Sequence, residues 1–377
     1  MTRKEFIKLL NLGFYGMAFA KLDIDNIYAL NSNKKKIKNW LWLHPWQNIS
    51  DDEYKRRLEK IKLCGIDAII PNIYGSWRAL YQSQHLPASD PLLEKLLPIA
   101  KSSGLEVHAW MWTMICNVEK VLNQHPDWFA INRNGISTKE NPAYVNYYRF
   151  MCPNHPEVKE FILKTVNELS AITELDGIHL DYIRYPDVIL AEKLQEKYGI
   201  VQDKEYAEYD YCYCNRCISK FKTQTGIDIK ESIAPDMNKK WLQFRYDSIT
   251  DLVNDTLIPP AKKRGKMISA AVFPNWKHVR QEWSKWHVDA VFPMLYSKYY
   301  NQDYAWIQAK IKDGLDTINS SIKLYSGLLV DSYNPKELSI AIQKSIDSNA
   351  DGVSLFAYHS LKEDHYKSLA QLFPHNK

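Results

Sequence analysis

From residue 38 onward the chain alternates between short apolar runs and longer stretches in which apolar positions recur at helical spacing. The short runs predict strands at 40–44, 68–74, 106–113, 177–181, 267–273, 290–296, 324–329 and 353–358. The longer stretches predict helices, among them 51–63, 91–102, 156–172, 238–262, 304–314 and 335–348. Ser50 ahead of Asp51-Asp52-Glu53, and Asn334 ahead of Pro335, offer side-chain oxygens to the free N–H groups of a first turn. Gly65, Gly104 and Gly265 stand where helices stop in the left-handed conformation. Eight strands alternating with helices predict an α/β fold of the (β/α)8, or TIM-barrel, type. A doubly wound sheet would want a glycine-rich turn after its first strand, but the chain there reads Pro45-Trp46-Gln47-Asn48. Two connections are long: 115–155 after strand three and 186–236 after strand four. Both leave the strand ends where barrel enzymes build active sites.

Strand alternation selects the side chains that point into the barrel. In Gly177-Ile178-His179-Leu180-Asp181 it turns His179 and Asp181 inward, with Asp181 at the mouth. A carboxylate there has little structural use, because burying it unpaired is costly. The competing reading is an ion pair with Arg184, which otherwise counts among the expected substrate-binding residues. The same alternation selects Trp42 and His44 on strand one, Asn72 and Tyr74 on strand two, and His108, Trp110 and Trp112 on strand three. It also selects Tyr296 on strand six and Tyr358 on strand eight, with Asp331 just beyond strand seven; Trp276, after strand five, joins this set. Rings that stack on sugars, with polar edges that bond hydroxyls, describe a carbohydrate cleft. Hydrolysis of a glycoside generally needs two carboxyl groups. Asp181 is the first candidate, and Glu282 or Asp331 the second. Spacing does not choose between retention and inversion.

Composition strengthens this picture: 377 residues include 12 Trp, 24 Tyr and 12 Phe. A net charge of +5 with no basic stripe gives no case for a nucleic-acid partner. Residues 1–20, with a basic start, an apolar stretch and Ala18-Phe19-Ala20, read as an export signal, residues 21–37 as a linker, and 38–377 as one barrel domain. A periplasmic or secreted protein, without stable membrane insertion, is therefore expected. Cys212, Cys214 and Cys217 are spaced closely enough to share a structural zinc ion, with Cys152 as the fourth ligand. Disulfides such as Cys212–Cys217 or Cys152–Cys214 are the alternative in an exported protein. Catalysis itself calls for no cofactor.

The segment from Asp176 to Pro186 resembles the bacterial glycosyl-hydrolase-like family-10, or YngK-like, proteins. So do His125-Pro-Asp-Trp128, Cys152-Pro-Asn-His-Pro156, Gln281-Glu-Trp283 and Val288-Asp-Ala-Val-Phe-Pro-Met-Leu-Tyr296, so that the resemblance spans most of 38–357. It implies a (β/α)8 barrel, export, and hydrolysis of a bacterial or environmental glycan, some relatives being associated with peptidoglycan strands. It matches Asp181 to the acidic position ending strand four. The chain departs from the pattern by carrying Tyr-Ile-Arg where some relatives add a second acidic residue, and Glu282 where the family commonly has Asp. A glycoside hydrolase acting on a polysaccharide or cell-wall glycan is the leading expectation. A barrel that binds glycan without cleaving it, or a metal-dependent polysaccharide deacetylase using His44, His108, His179 and Asp181, stands behind it.

Overall fold

A computed structural model describes residues 35, 37–88 and 90–373. The expected export signal lies wholly, and the linker almost wholly, outside these residues. Within the compact unit that starts at Lys38, eight parallel strands close into a barrel in chain order. They are β1 (Trp40–Leu43), β2 (Ala68–Tyr74), β3 (Glu106–Trp112), β4 (Gly177–Asp181), β5 (Met267–Val272), β6 (Ala290–Pro293), β7 (Lys323–Leu329) and β8 (Gly352–Phe356). The helices are α1 (Asp51–Leu63), α2 (Leu92–Ser102), α3 (Glu119–Gln124), α4 (Pro156–Ala171), α5 (Glu192–Tyr198), α6 (Asn215–Thr225), α7 (Lys239–Asp251), α8 (Ile258–Lys263), α9 (Tyr304–Thr317), α10 (Pro335–Asp347) and α11 (Glu363–Leu372). The expected TIM barrel is therefore the observed fold.

The capping residues act as their chemistry requires. Ser50 accepts from the backbone N–H of Glu53, and Asn334 forms a reciprocal capping box with Glu337. The helix expected over 238–262 is instead α7, a wider π turn at Leu252–Leu257, and α8. Pro259 and Pro260 lack the N–H donors an unbroken α-helix would use there, and the wider turn absorbs the mismatch.

Two cores result. The larger lies between strands and helices, where residues such as Leu41, Val107, Ile178 and Leu180 are fully buried. The smaller fills the barrel itself with large rings opposite small residues: Trp40, Trp42, Trp110, Phe292 and Tyr325 against Ala68, Ala271 and Ala290. Near its floor, His108 packs edge-on against Trp40 at 4.6 Å and meets Glu106 at 3.2 Å. One layer higher, His179 bonds Ser269 Oγ at 2.8 Å and packs edge-on against Trp42 and Phe292. Burial lowers the pKa of both imidazoles, so they are neutral core groups.

Gly177 makes this packing possible. A Cβ at that position would lie 2.4 Å from His108 Nδ1 and 2.5 Å from the Met267 carbonyl oxygen. Gly177→Ala is expected to destabilise the barrel by about 1–3 kcal/mol through overpacking, read as a lower denaturation midpoint.

Candidate active site

Asp181 ends β4 at the barrel mouth, as alternation requires. Its Oδ2 accepts from Trp110 Nε1 at 3.0 Å, and its Oδ1 accepts from the backbone N–H of Tyr182 at 2.7 Å. The second bond depends on a turn at Tyr182, whose φ of 50° is left-handed and uncommon for a residue with a side chain. A cavity of about 310 Å³ opens over the carboxyl. Its walls are mostly rings: Trp42, Trp110 and Trp112 from the strands, Tyr147 and Tyr148 from the long connection after β3, and Tyr182, Phe273, Tyr296 and Phe356 around the rim. His44 and Trp112 also line a second hollow of about 490 Å³, walled further by Gln47, Asn72, Trp77 and Arg78. The two hollows thus share walls.

Such walls strip water from the carboxylate. Desolvation raises the Asp181 pKa to about 6, against the weaker opposing effects of the Tyr182 N–H, the Arg184 charge and the Trp110 N–H. A carboxyl that keeps its proton into weakly acidic solution is suited to give it away. Trp110→Phe removes one donor to the ionised form. It should raise that pKa further, moving the alkaline limb of a pH–rate profile up by as much as roughly one unit. An unchanged limb would separate Trp110 from the acid's titration.

Arg184 does not form the ion pair with Asp181 that the sequence left open. Its Nη1 donates to Asp187 Oδ2 at 2.9 Å and to the Tyr185 carbonyl oxygen at 2.8 Å. The guanidinium is buried among Tyr148, Phe150, Tyr182 and Phe273, at 4.6–5.9 Å from their ring centres. It lines the cavity chiefly as a brace for aromatic walls.

Of the other expected site residues, Trp110, Trp112 and Tyr296 line the Asp181 cavity and Asn72 the adjoining hollow. Tyr74 does not, because a bulge between β2 and β3 pairs Asn72 with Trp110 but Tyr74 with Met111. That one-residue shift sends the Tyr74 ring into the outer core. His108 and His179 lie beneath the cavity within the barrel core. Trp276 packs edge-on against Tyr246, and Tyr358 against Trp46. Neither proposed second carboxyl is at the cavity. Glu282 accepts from Gln243 Nε2 and pairs with Lys285, each at 3.0 Å, while Asp331 is exposed in the turn Val330–Ser332. Among the residues lining the two hollows, Asp181 is the sole carboxyl.

The ligand set of a metal-dependent deacetylase is likewise not assembled, since His108 and His179 are sealed below the mouth. Among the described residues the sole group of three or more potential ligands is Cys152, Cys212, Cys214 and Cys217.

Residues 36–341 match the family model described as glycosyl hydrolase-like 10. The chain belongs to that family. A 167-residue stretch is 25% identical to "Glycosyl hydrolase YngK" of Bacillus subtilis (strain 168), covering 38% of this chain but 30% of that protein. The match therefore spans under a third of that relative's length. Among solved structures, the PgaB (BpsB) glycoside hydrolase domain from Bordetella bronchiseptica superposes with a TM-score of 0.69 at 11% identity, over 89% of this chain and 99% of that one. The catalytic domain of a β-amylase from Paenibacillus polymyxa gives 0.64 at 10% identity, over 90% and 98%. A β-galactosidase from Bacillus circulans sp. alkalophilus gives 0.66 at 14% identity, over 90% and 55%. At these identities the structural likeness concerns the fold, which this glycosyl hydrolase-like chain shares with glycosidase barrels.

Proposed function

We propose that this chain hydrolyses a glycosidic bond in a polysaccharide or cell-wall glycan outside the cytoplasm, with Asp181 as general acid. The observation that carries the reading is a carboxyl of raised pKa at the mouth of a ring-lined barrel. Its proton is available to the leaving-group oxygen as the C–O bond breaks. Trp112, which lines both hollows, and Asn72, which lines the outer one, add a ring face and an amide to the walls that a sugar would meet.

With Asp181 alone in the lining, the second group comes from elsewhere. A 2-acetamido group on the substrate supplies an internal nucleophile in substrate-assisted glycosidases, and this favours an amino-sugar glycan. The test is incubation of the purified chain with denuded peptidoglycan strands and a panel of neutral polysaccharides, followed by product mass analysis. New reducing ends on the amino-sugar glycans support the full reading. Cleavage of neutral glycans alone would overturn the substrate-assisted step.

A second reading has a specific observation behind it. Glu282 and Asp331 both lie away from the cavity, which is what a barrel that binds glycan without cutting it would show. Saturable binding to a glycan that is never shortened would decide for it.

A further inference from the structure

We propose that Cys152, Cys212, Cys214 and Cys217 hold one zinc ion as four thiolates, and that this ion clamps together the two long connections that follow β3 and β4. The inference stands whether the barrel cleaves glycan or only binds it.

All four side chains are buried, and their sulfur atoms lie within 4.8 Å of one another. Cys152 Sγ is 3.6 Å from Cys214 Sγ and 3.5 Å from Cys217 Sγ. A tetrahedral zinc ion with bonds of ~2.3 Å sets its sulfurs ~3.8 Å apart, close to these separations. An iron–sulfur cluster, which interposes several irons and sulfides, would spread its thiolates further. None of the four is bridged.

The surroundings favour thiolates. The backbone N–H of Ile131 donates to Cys212 Sγ, and Asn154 Nδ2 donates to Cys217 Sγ, each at 3.4 Å. Cys214 caps the N-terminus of α6, whose partial positive charge faces the cluster. Asn154 is itself held by Lys220, which donates to its Oδ1 at 2.8 Å, and by Ser248. Outer partners of this kind orient ligands and temper their charge.

Position gives the site its role. Cys152 closes the connection that carries Tyr147 and Tyr148, and the other three lie in the connection that follows Asp181 and Arg184. One ion therefore ties the connection that carries the cavity residues Tyr147 and Tyr148 to the connection that continues from Tyr182 and Arg184, independently of the barrel's own strands.

The test begins with metal analysis of the purified full-length chain, and thiol titration after unfolding in the presence of a chelator. Roughly one zinc per chain and six titratable thiols are expected. Exchange into cobalt(II) should produce the sulfur-to-metal charge-transfer absorption of a tetrathiolate. Cys214→Ser should lose the metal and become sensitive to protease within 186–236. Should that variant fail to fold, the wild-type metal and cobalt measurements still decide. A metal-free chain that takes up neither zinc nor cobalt, a thiol count reduced by disulfides, or iron as the bound metal would each overturn the proposal.

Discussion

Asp181→Asn is expected to lower glycan turnover by at least about a hundredfold while making the folded protein more stable near neutral pH. Both effects come from the same desolvation. The wild-type carboxyl has a pKa of about 6 in the fold, against about 3.9 in an unfolded chain. Below pH ~4 it is protonated in both states and carries no penalty. As pH rises toward and past 6, the unfolded chain ionises freely while the folded one ionises in an aromatic pocket. Folding stability falls through that interval by about 3 kcal/mol. Asparagine has no charge to desolvate. The variant's advantage should therefore be near zero at pH 4, grow between pH 4 and 6, and level off above. Denaturant titrations of both proteins at a series of pH values would show it. A variant that loses turnover but is destabilised at every pH would mean that Asp181 is chiefly a structural partner of Trp110 and the Tyr182 backbone. A variant with undiminished turnover would remove Asp181 from the chemistry.

Much of this site was legible because a strand has a period of two. That rule alone placed Asp181 at the mouth and Trp110, Trp112 and Tyr296 in its walls. It also turns Phe273, Met294 and Phe356 inward, where they complete the apolar part of the wall. The rule gives a face and not a depth, which is why His108 and His179 read as ligand contacts when they are filling for the barrel's lower layers. It also fails at a bulge: in Pro71-Asn72-Ile73-Tyr74 the one signal is Pro71, which lacks the ladder N–H and so favours an irregularity there without saying which residue turns away. Tyr147 and Tyr148 sit in a connection whose length marked it as functional, but a loop has no period from which to read a face. Glu282 and Asp331 fall outside the rule for a related reason. Both follow their strands by enough residues that local turns, not strand geometry, decide where they point.

The largest stability effect is expected away from the chemistry, at Asp210. This carboxylate is fully buried in the connection after β4, where it accepts from Arg245 Nη1, from Arg280 Nη2 at 3.4 Å and from the Tyr213 hydroxyl at 2.6 Å. Burial pushes its pKa up, but the Arg245 and Arg280 charges outweigh that, and the net shift is downward. A depressed carboxyl contributes stability above its unfolded pKa and loses it as pH falls through the folded one. Asp210→Ala leaves two buried guanidiniums facing each other. Arg280 keeps Glu205, whereas Arg245 keeps only the Tyr211 carbonyl oxygen among its hydrogen-bond acceptors. Breaking a buried pair in this way costs about 3–5 kcal/mol, at or above the effects of overpacking at Gly177 and desolvation at Asp181. The loss should be felt first in the connection after β4. Arg245 reaches from α7, and Arg280 from the segment after β5, into the connection that carries three of the four clustered cysteines. Hydrogen exchange should therefore accelerate across 186–236 before it does in the strands. Asp210→Asn keeps the hydrogen-bond acceptor but not the charge, and should fall between the two. If alanine instead cost under about 1 kcal/mol, the triad would be solvated in solution, and that connection would owe its place to the cysteine cluster and its own apolar packing.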